Sequence, residues 1–274
     1  MAMNLDGILA AQAGVITRAQ ALAAGMSPAE VDDRVRLRHW WPLHPRTYLA
    51  GRHDHTDEVT VRAALLWAGA GAVLSGAAAA WWHGLVEHPP ATVTVTVPRR
   101  RTARVRDGVL LVRRNLAPPD VTSLRGLDVT TRPLTLLDTA VELGEPGAAW
   151  LDSRLRGGAT GFDDLLAAHR RTAGSPGSAG ARAVLTAAAE RGAAAAERLI
   201  VRMLRDSGTT GWRRVPTGIV FPAARVLVEV AAVPAPLPRP GWTVLSCRWQ
   251  DVLARPNAVR SRIEDNVMFT TSRS

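Results

Sequence analysis

Arginines and carboxylates are the side chains that come in groupings able to do chemistry. Arg34, Arg36 and Arg38 stand at every second position, and Arg46 follows shortly after. A denser run holds Arg99, Arg100, Arg101, Arg104 and Arg106; residues 99–114 carry seven Arg against one acid, Asp107. Guanidinium forks match phosphate oxygens, and a basic loop laid along a nucleic-acid backbone adds a salt-dependent, sequence-blind attraction. The carboxylates of interest are Glu197 and Glu229. A Mg²⁺-dependent nuclease needs acids gathered on adjacent strands, where one or two ions activate water and steady the leaving oxygen. Glu229 falls in an apolar strand pattern and Glu197 in a helical one, so a single strand carboxylate is left to position an ion. An active site would have to recruit a third acid, Asp206 or Asp251.

Other chemistries are thinner. His53-Asp54-His55-Thr56-Asp57 has donors for a metal, but a short H-x-H loop of this kind reads as a solvated connector. Cys247 is the only cysteine, which excludes an intrachain disulfide and a Cys-based zinc site and fits a reducing cytoplasm. It lies in an apolar strand and is expected to be a buried structural thiol. Neither a Gly-rich phosphate loop nor a G-x-S-x-G elbow is present. The N-terminus lacks a basic segment followed by an apolar core, and no window of about 20 residues is apolar enough to span a bilayer. The expected location is the cytoplasm, with no membrane partner. The net charge of +10 favours anionic partners, nucleic acid first. That charge is unevenly placed: five Arg against four acids in 1–51, eleven against nine in 52–143, eighteen against eleven in 144–274.

The elements that would carry the first arginine group are legible. Asn4–Gln12 reads as an amphipathic helix on Leu5, Ile8 and Leu9. Thr17 suits a helix N-cap, and Gly25 a C-terminal stop. Ser27 is the next cap, with Pro28 at the first helical position and Glu30 at the capping-box position. That second helix is expected to run to about His39. Trp40–Leu43 and Thr47–Leu49 read as two strands around a His44-Pro45-Arg46 turn. Helix, turn, helix and β-wing is the layout of a winged helix-turn-helix, whose second helix enters the DNA major groove. Three acids on that helix, Glu30, Asp32 and Asp33, oppose phosphate contact.

Further on, Thr92–Val97 alternates strictly and predicts a strand with Val93, Val95 and Val97 buried. With Val109–Val112 it reads as a hairpin-like unit bearing the basic loop. Pro133 predicts a helix start, with Leu134, Leu137 and Val141 inward and Asp138 bonded to backbone or to an Arg. Thr172–Gly180 is the clearest linker composition. Beyond it come a long helix over 181–206, broken near Gly192, then three strands (212–215, 225–230, 243–247) and a closing helix restarted at Pro256.

Several segments resemble known families. GVITRAQALAAG, the Ser-capped helix and RLRHWWPLHPRTYLAG resemble the N-terminal domain of actinobacterial AbiEi-type antitoxins, and VTTRPLTLLDTA resembles a later segment of the same proteins. FPAARVLVEV and GWTVLSCRWQDVLARPNAV, with the helix from Glu197, resemble DUF559 domains, which are related to very-short-patch-repair endonucleases. That resemblance implies metal-binding acids at or near Gly218 and in an Asp-Gly after Glu229. Here the Asp-Gly is replaced by Ala231-Ala232, and the loop that follows is proline-rich with neither acid nor His.

The expected fold class is therefore α+β: a winged helix-turn-helix over 1–51, a central α/β antitoxin-like domain over 52–171, a linker over 172–180, and a degenerate restriction-endonuclease-like α/β domain over 181–274. The expected function is that of a DNA-binding regulator and AbiEi-like antitoxin, with Glu197 and Glu229 vestigial rather than catalytic. Its DNA contacts would be Arg34, Arg36, Arg38, Arg46, Arg99, Arg100, Arg101, Arg104 and Arg106. The resemblance implies duplex DNA as partner and a functional pairing with a nucleotidyltransferase-type toxin, with no cofactor. Two rivals stand beside it: a Mg²⁺-dependent endonuclease built on Glu197 and Glu229, and a protein-interaction scaffold.

Overall fold

A computed structural model of the chain describes residues 4–51, 53–100, 106–231 and 239–271, the last three for their backbone. Arg101 and Arg104 lie outside the described residues, as does most of the proline-rich loop that follows Ala231-Ala232. The chain is mixed α+β and divides into two compact units, residues 1–184 and 185–274.

The first unit opens with α1 (Leu5–Ala11), β1 (Val15–Thr17), α2 (Arg18–Ala23), α3 (Pro28–Arg36), β2 (Trp40–His44) and β3 (Thr47–Ala50). The strands form an antiparallel sheet in the order β1-β3-β2. Both short helices start on capping boxes: Thr17 with Gln20, and Ser27 with Glu30, whose Oε2 accepts the Ser27 N–H at 2.7 Å. Each box satisfies two N–H groups that a helix start otherwise leaves open, which matters for helices this short. The end of α3 comes three residues before the expected His39. Arg38 turns to φ +60°, and the His39 N–H closes back on the Arg34 carbonyl at 2.9 Å. Such a left-handed cap terminates a helix without a glycine. The core under the sheet is Ile16, Ala21, Val31, Trp40, Tyr48 and Ala50, with Leu5, Ile8 and Leu9 of α1 packed on it.

The rest of this unit is α4 (Asp57–Ala68), β4 (Val73–Leu74), α5 (Gly76–Trp82), β5 (Val93–Val97), β6 (Val109–Arg113), β7 (Val121–Leu124), β8 (Leu127–Thr130), α6 (Arg132–Glu142), α7 (Gly147–Arg156) and α8 (Phe162–Arg171). Its sheet runs β6-β5-β4-β8-β7. Two expectations change here. β5 and β6 are not a hairpin: they pair in parallel, Val93 opposite Val109 and Val97 opposite Arg113. β5 is also buried on both faces, with Thr94 and Thr96 as inaccessible as the valines. A strand inside a sheet covered on both sides has no solvent face, and its threonines need partners. Thr96 finds one by donating to the Ser75 hydroxyl at 2.9 Å.

Ser75 therefore does not cap α5 with its side chain. Glu142, at the end of α6, takes that part by accepting the Ala77 N–H at 2.8 Å. One turn earlier Asp138 receives both terminal nitrogens of Arg114, which is 4 % exposed. The expectation of an Arg partner for Asp138 is met by an ion pair under the sheet.

The second unit holds most of α9 (Ser178–Asp206), then β9 (Arg213–Val215), β10 (Gly218–Phe221), β11 (Val226–Ala231), β12 (Thr243–Arg248), α10 (Trp249–Ala254) and α11 (Pro256–Thr271). The sheet order is β12-β11-β10-β9, with β11 and β12 parallel and the other pairs antiparallel. β10 is a strand beyond the three expected. Helix α9 is unbroken at Gly192, where a Cβ would stand 2.6 Å from the Trp249 ring. Glycine there marks the seat of an indole rather than a break. Among the described residues no helix is long and apolar enough to cross a membrane.

Candidate nucleic-acid interface

The acids expected to repel phosphate from α3 are each engaged locally. Glu30 closes the capping box, and the Ser27 N–H holds its carboxyl below the usual carboxylate range. Asp32 accepts from Arg18 at the start of α2, with Nη2 at 3.1 Å from Oδ2. The pairing lowers the Asp32 pKa and raises that of Arg18. Asp33 pairs with Arg36 one turn later at 2.7 Å. Arg36 is thus less available than expected, although so exposed a pair holds it weakly.

Arg34, Arg38 and Arg46 remain exposed and make no direct ion pair among the described residues, although the Arg34 charge lies close enough to the Glu30 carboxylate, one turn earlier, to help lower its pKa. The left-handed residue that ends α3 is Arg38 itself, and its guanidinium lies 5.2 Å from the centre of the half-exposed Trp41 ring. Arg46 occupies the second corner of the turn between β2 and β3, at φ +60° after Pro45. Proline followed by a positive φ is the demand of a type II turn, and the Arg46 side chain there is exposed. Both placements depend on positive-φ backbone at a non-glycine residue, which is uncommon and is favoured at turns and caps.

The second arginine group is placed in part. Arg99 and Arg100 lie in an exposed turn after β5, and Arg106 faces solvent just before β6. His44 at the end of β2 is held below the usual histidine range, first by burial against the Trp67 ring and then by the charge of Arg106. Arg106 is therefore within electrostatic reach of the β2–β3 turn that carries Arg46. No local pattern signals that approach, because 60 positions separate the two residues. Arg18 was also missed as a functional neighbour, since its partner Asp32 sits in a different helix.

The candidate nuclease residues lie in the second unit. Glu197 on α9 accepts both Nε and Nη2 of Arg214 on β9, at 2.8 and 2.7 Å. Glu229 is half-buried on β11 and has no side-chain partner among the described residues. Gly218 sits at φ +138°, and a Cβ on it would meet the Val228 carbonyl oxygen at 2.1 Å. Backbone occupies the space that an aspartate side chain would need at that position. Asp251 pairs along its helix with Arg255, and Asp206 lines a cleft of arginines instead of joining Glu197 and Glu229. Cys247 is buried with the Arg262 guanidinium 2.9 Å from Sγ, and burial pushes its thiol pKa up.

The central sheet decides the comparison with known proteins. Residues 70–185 match the AbiEi antitoxin C-terminal domain. The matched stretch begins just before β4 and takes in the five-stranded sheet, α5 to α8 and the first turns of α9. No curated protein matches the chain. Among solved structures, the RV2827C protein from Mycobacterium tuberculosis aligns over 67 % of this chain and 75 % of its own, at 20 % identity and a TM-score of 0.44.

Proposed function

We propose that the chain is a DNA-binding regulator of the AbiEi antitoxin type. In this reading residues 1–51 are a winged helix-turn-helix, α3 enters the major groove, and the β2–β3 turn is the wing. The observation that carries it is the charge arrangement on α3. Glu30, Asp32 and Asp33 each have an internal partner, so Arg34 and Arg38 at its C-terminal end and Arg46 in the turn are left to meet phosphate and base edges. Arg106, close to the turn, extends the contact along the backbone, as would Arg99 and Arg100. The antitoxin-domain match supports a role in a toxin–antitoxin pair, and the functional counterpart we infer is a nucleotidyltransferase-type toxin.

The second unit is read as a restriction-endonuclease-like domain without catalysis. Gly218 supports this, since its backbone excludes the acid, and so does Glu197, which is committed to Arg214. The test is the paired substitution Arg34→Ala and Arg38→Ala in the full chain. Each base- or phosphate-contacting Arg is worth about 1–3 kcal/mol, so the affinity for duplex DNA from upstream of the protein's own gene should fall at least tenfold. An unchanged affinity, measured by fluorescence anisotropy at fixed salt, would remove α3 from the interface.

A further inference from the structure

We propose that the cleft lined by Arg198, Arg202, Arg205 and Arg214 in the second unit grips the phosphate backbone of duplex DNA. The proposal rests on the DNA-binding reading above and gives it a second, sequence-blind contact. The cleft has a volume of about 430 Å³, and its lining adds the buried Val201 and, as the one acid among the described residues, Asp206. Arg198, Arg202 and Arg205 stand at i, i+4 and i+7 of α9, hence on one face of the helix. Like charges at that spacing repel one another, and a face selected for helix stability alone would alternate them with acids. All three are exposed and none has an ion-pair partner among the described residues. The negative end of the helix dipole accounts for a cation at Arg205 in the last turn, but not for Arg198 and Arg202 before it.

Two of the four guanidiniums are already positioned. Arg214 is fixed from β9 by Glu197, which is 24 % exposed and takes two of its donors on a single oxygen. Arg205 lies over the Trp212 ring at 5.9 Å, and that indole is itself held by donating to the Thr209 carbonyl at 2.9 Å. Side chains ordered before contact lose less freedom on binding. In this arrangement Glu197, the vestigial carboxylate of the nuclease-like unit, serves to aim an arginine. The distance from Arg198 to Arg205 is about 10 Å along the helix axis, the length of roughly three nucleotides of one strand at about 3.4 Å each. Planar forks in such a row suit bidentate capture of successive phosphates.

The experiment uses the full chain with Arg198→Gln and Arg202→Gln together. A charge-matched control carries Arg156→Gln and Arg170→Gln, two exposed arginines of the first unit. Affinity is measured across a NaCl series on the upstream duplex and on a random duplex of equal length. The cleft variant should bind both duplexes at least tenfold more weakly at low salt. Its plot of log K against log[salt] should be shallower by nearly 2, at about 0.9 for each phosphate that is no longer neutralised. The ratio of upstream to random affinity should not move. A slope unchanged from wild type, an equal weakening in the control, or wild-type protein that does not bind the random duplex at low salt would each overturn the clamp. A vanished upstream preference in the Arg34→Ala, Arg38→Ala protein, with the cleft-dependent slope intact, separates the α3 reading from this one.

Discussion

Asp138→Ala is expected to destabilise the first unit by about 3–5 kcal/mol, the usual consequence of leaving one partner of a buried ion pair alone. Arg114 is 4 % exposed and gives both terminal nitrogens to Asp138, so the truncation strands a guanidinium under the sheet between β6 and α6. Replacing both residues together, as Arg114→Met with Asp138→Leu, should recover much of the stability, because a packed apolar pair carries no desolvation cost. Urea denaturation of the two single variants and the double variant measures the coupling. Additive effects would mean that the pair is not the coupled unit described. The same region sets a pH trend. Burial pushes the carboxyls of both Asp138 and Glu142 above their ordinary values. A raised carboxyl binds its proton more tightly in the folded chain than in the unfolded one. Their contribution therefore favours folding at low pH and is lost as pH rises from the unfolded value through the folded one. Glu142→Gln should flatten that slope while keeping an acceptor for the Ala77 N–H.

Gly218→Asp is the second large effect. It places an acid where the resemblance to very-short-patch-repair enzymes would have one, yet it should destabilise the second unit by about 3 kcal/mol rather than create a nuclease. The backbone is at φ +138°, a region closed to ordinary side chains, and the new Cβ would press on the Val228 carbonyl on the neighbouring strand. Gly218→Ala should be destabilised nearly as much, which separates backbone geometry from the added charge. A shift in the urea midpoint reads the first effect, and incubation with duplex DNA and Mg²⁺ reads the second. Normal stability together with Mg²⁺-dependent cutting in Gly218→Asp would show that the site is one substitution from activity.

The legible parts of this chain are those governed by local chemistry. Thr17 with Gln20 and Ser27-Pro28 with Glu30 announce their helices because capping is settled within four residues. The Pro45 turn and the restart at Pro256 follow from the missing N–H and fixed φ of proline. What stays hidden depends on partners far away in sequence. The Val93–Val97 pattern predicts a strand but not that its threonines are buried too, since sheet position is not encoded in alternation. The parallel pairing of β5 and β6 is not encoded in either strand's own pattern, and the two-residue β4 is too short to show a period. Gly192 looks like a helix break because nothing local says that Trp249 will rest on it. At the candidate site, the acids of α3 read as an obstacle until Asp32 is seen on Arg18 from another helix.

The proposal that this chain reads its own upstream DNA without cutting it is tested most directly by a gel shift. The purified full chain is run on that duplex and on a scrambled duplex of equal length, over a salt series, with and without Mg²⁺. The expected result is a preference for the upstream duplex that persists as salt rises, with both probes intact. Equal and steeply salt-sensitive binding to the two duplexes would contradict selective reading by α3, and cleavage in Mg²⁺ would contradict the absence of catalysis.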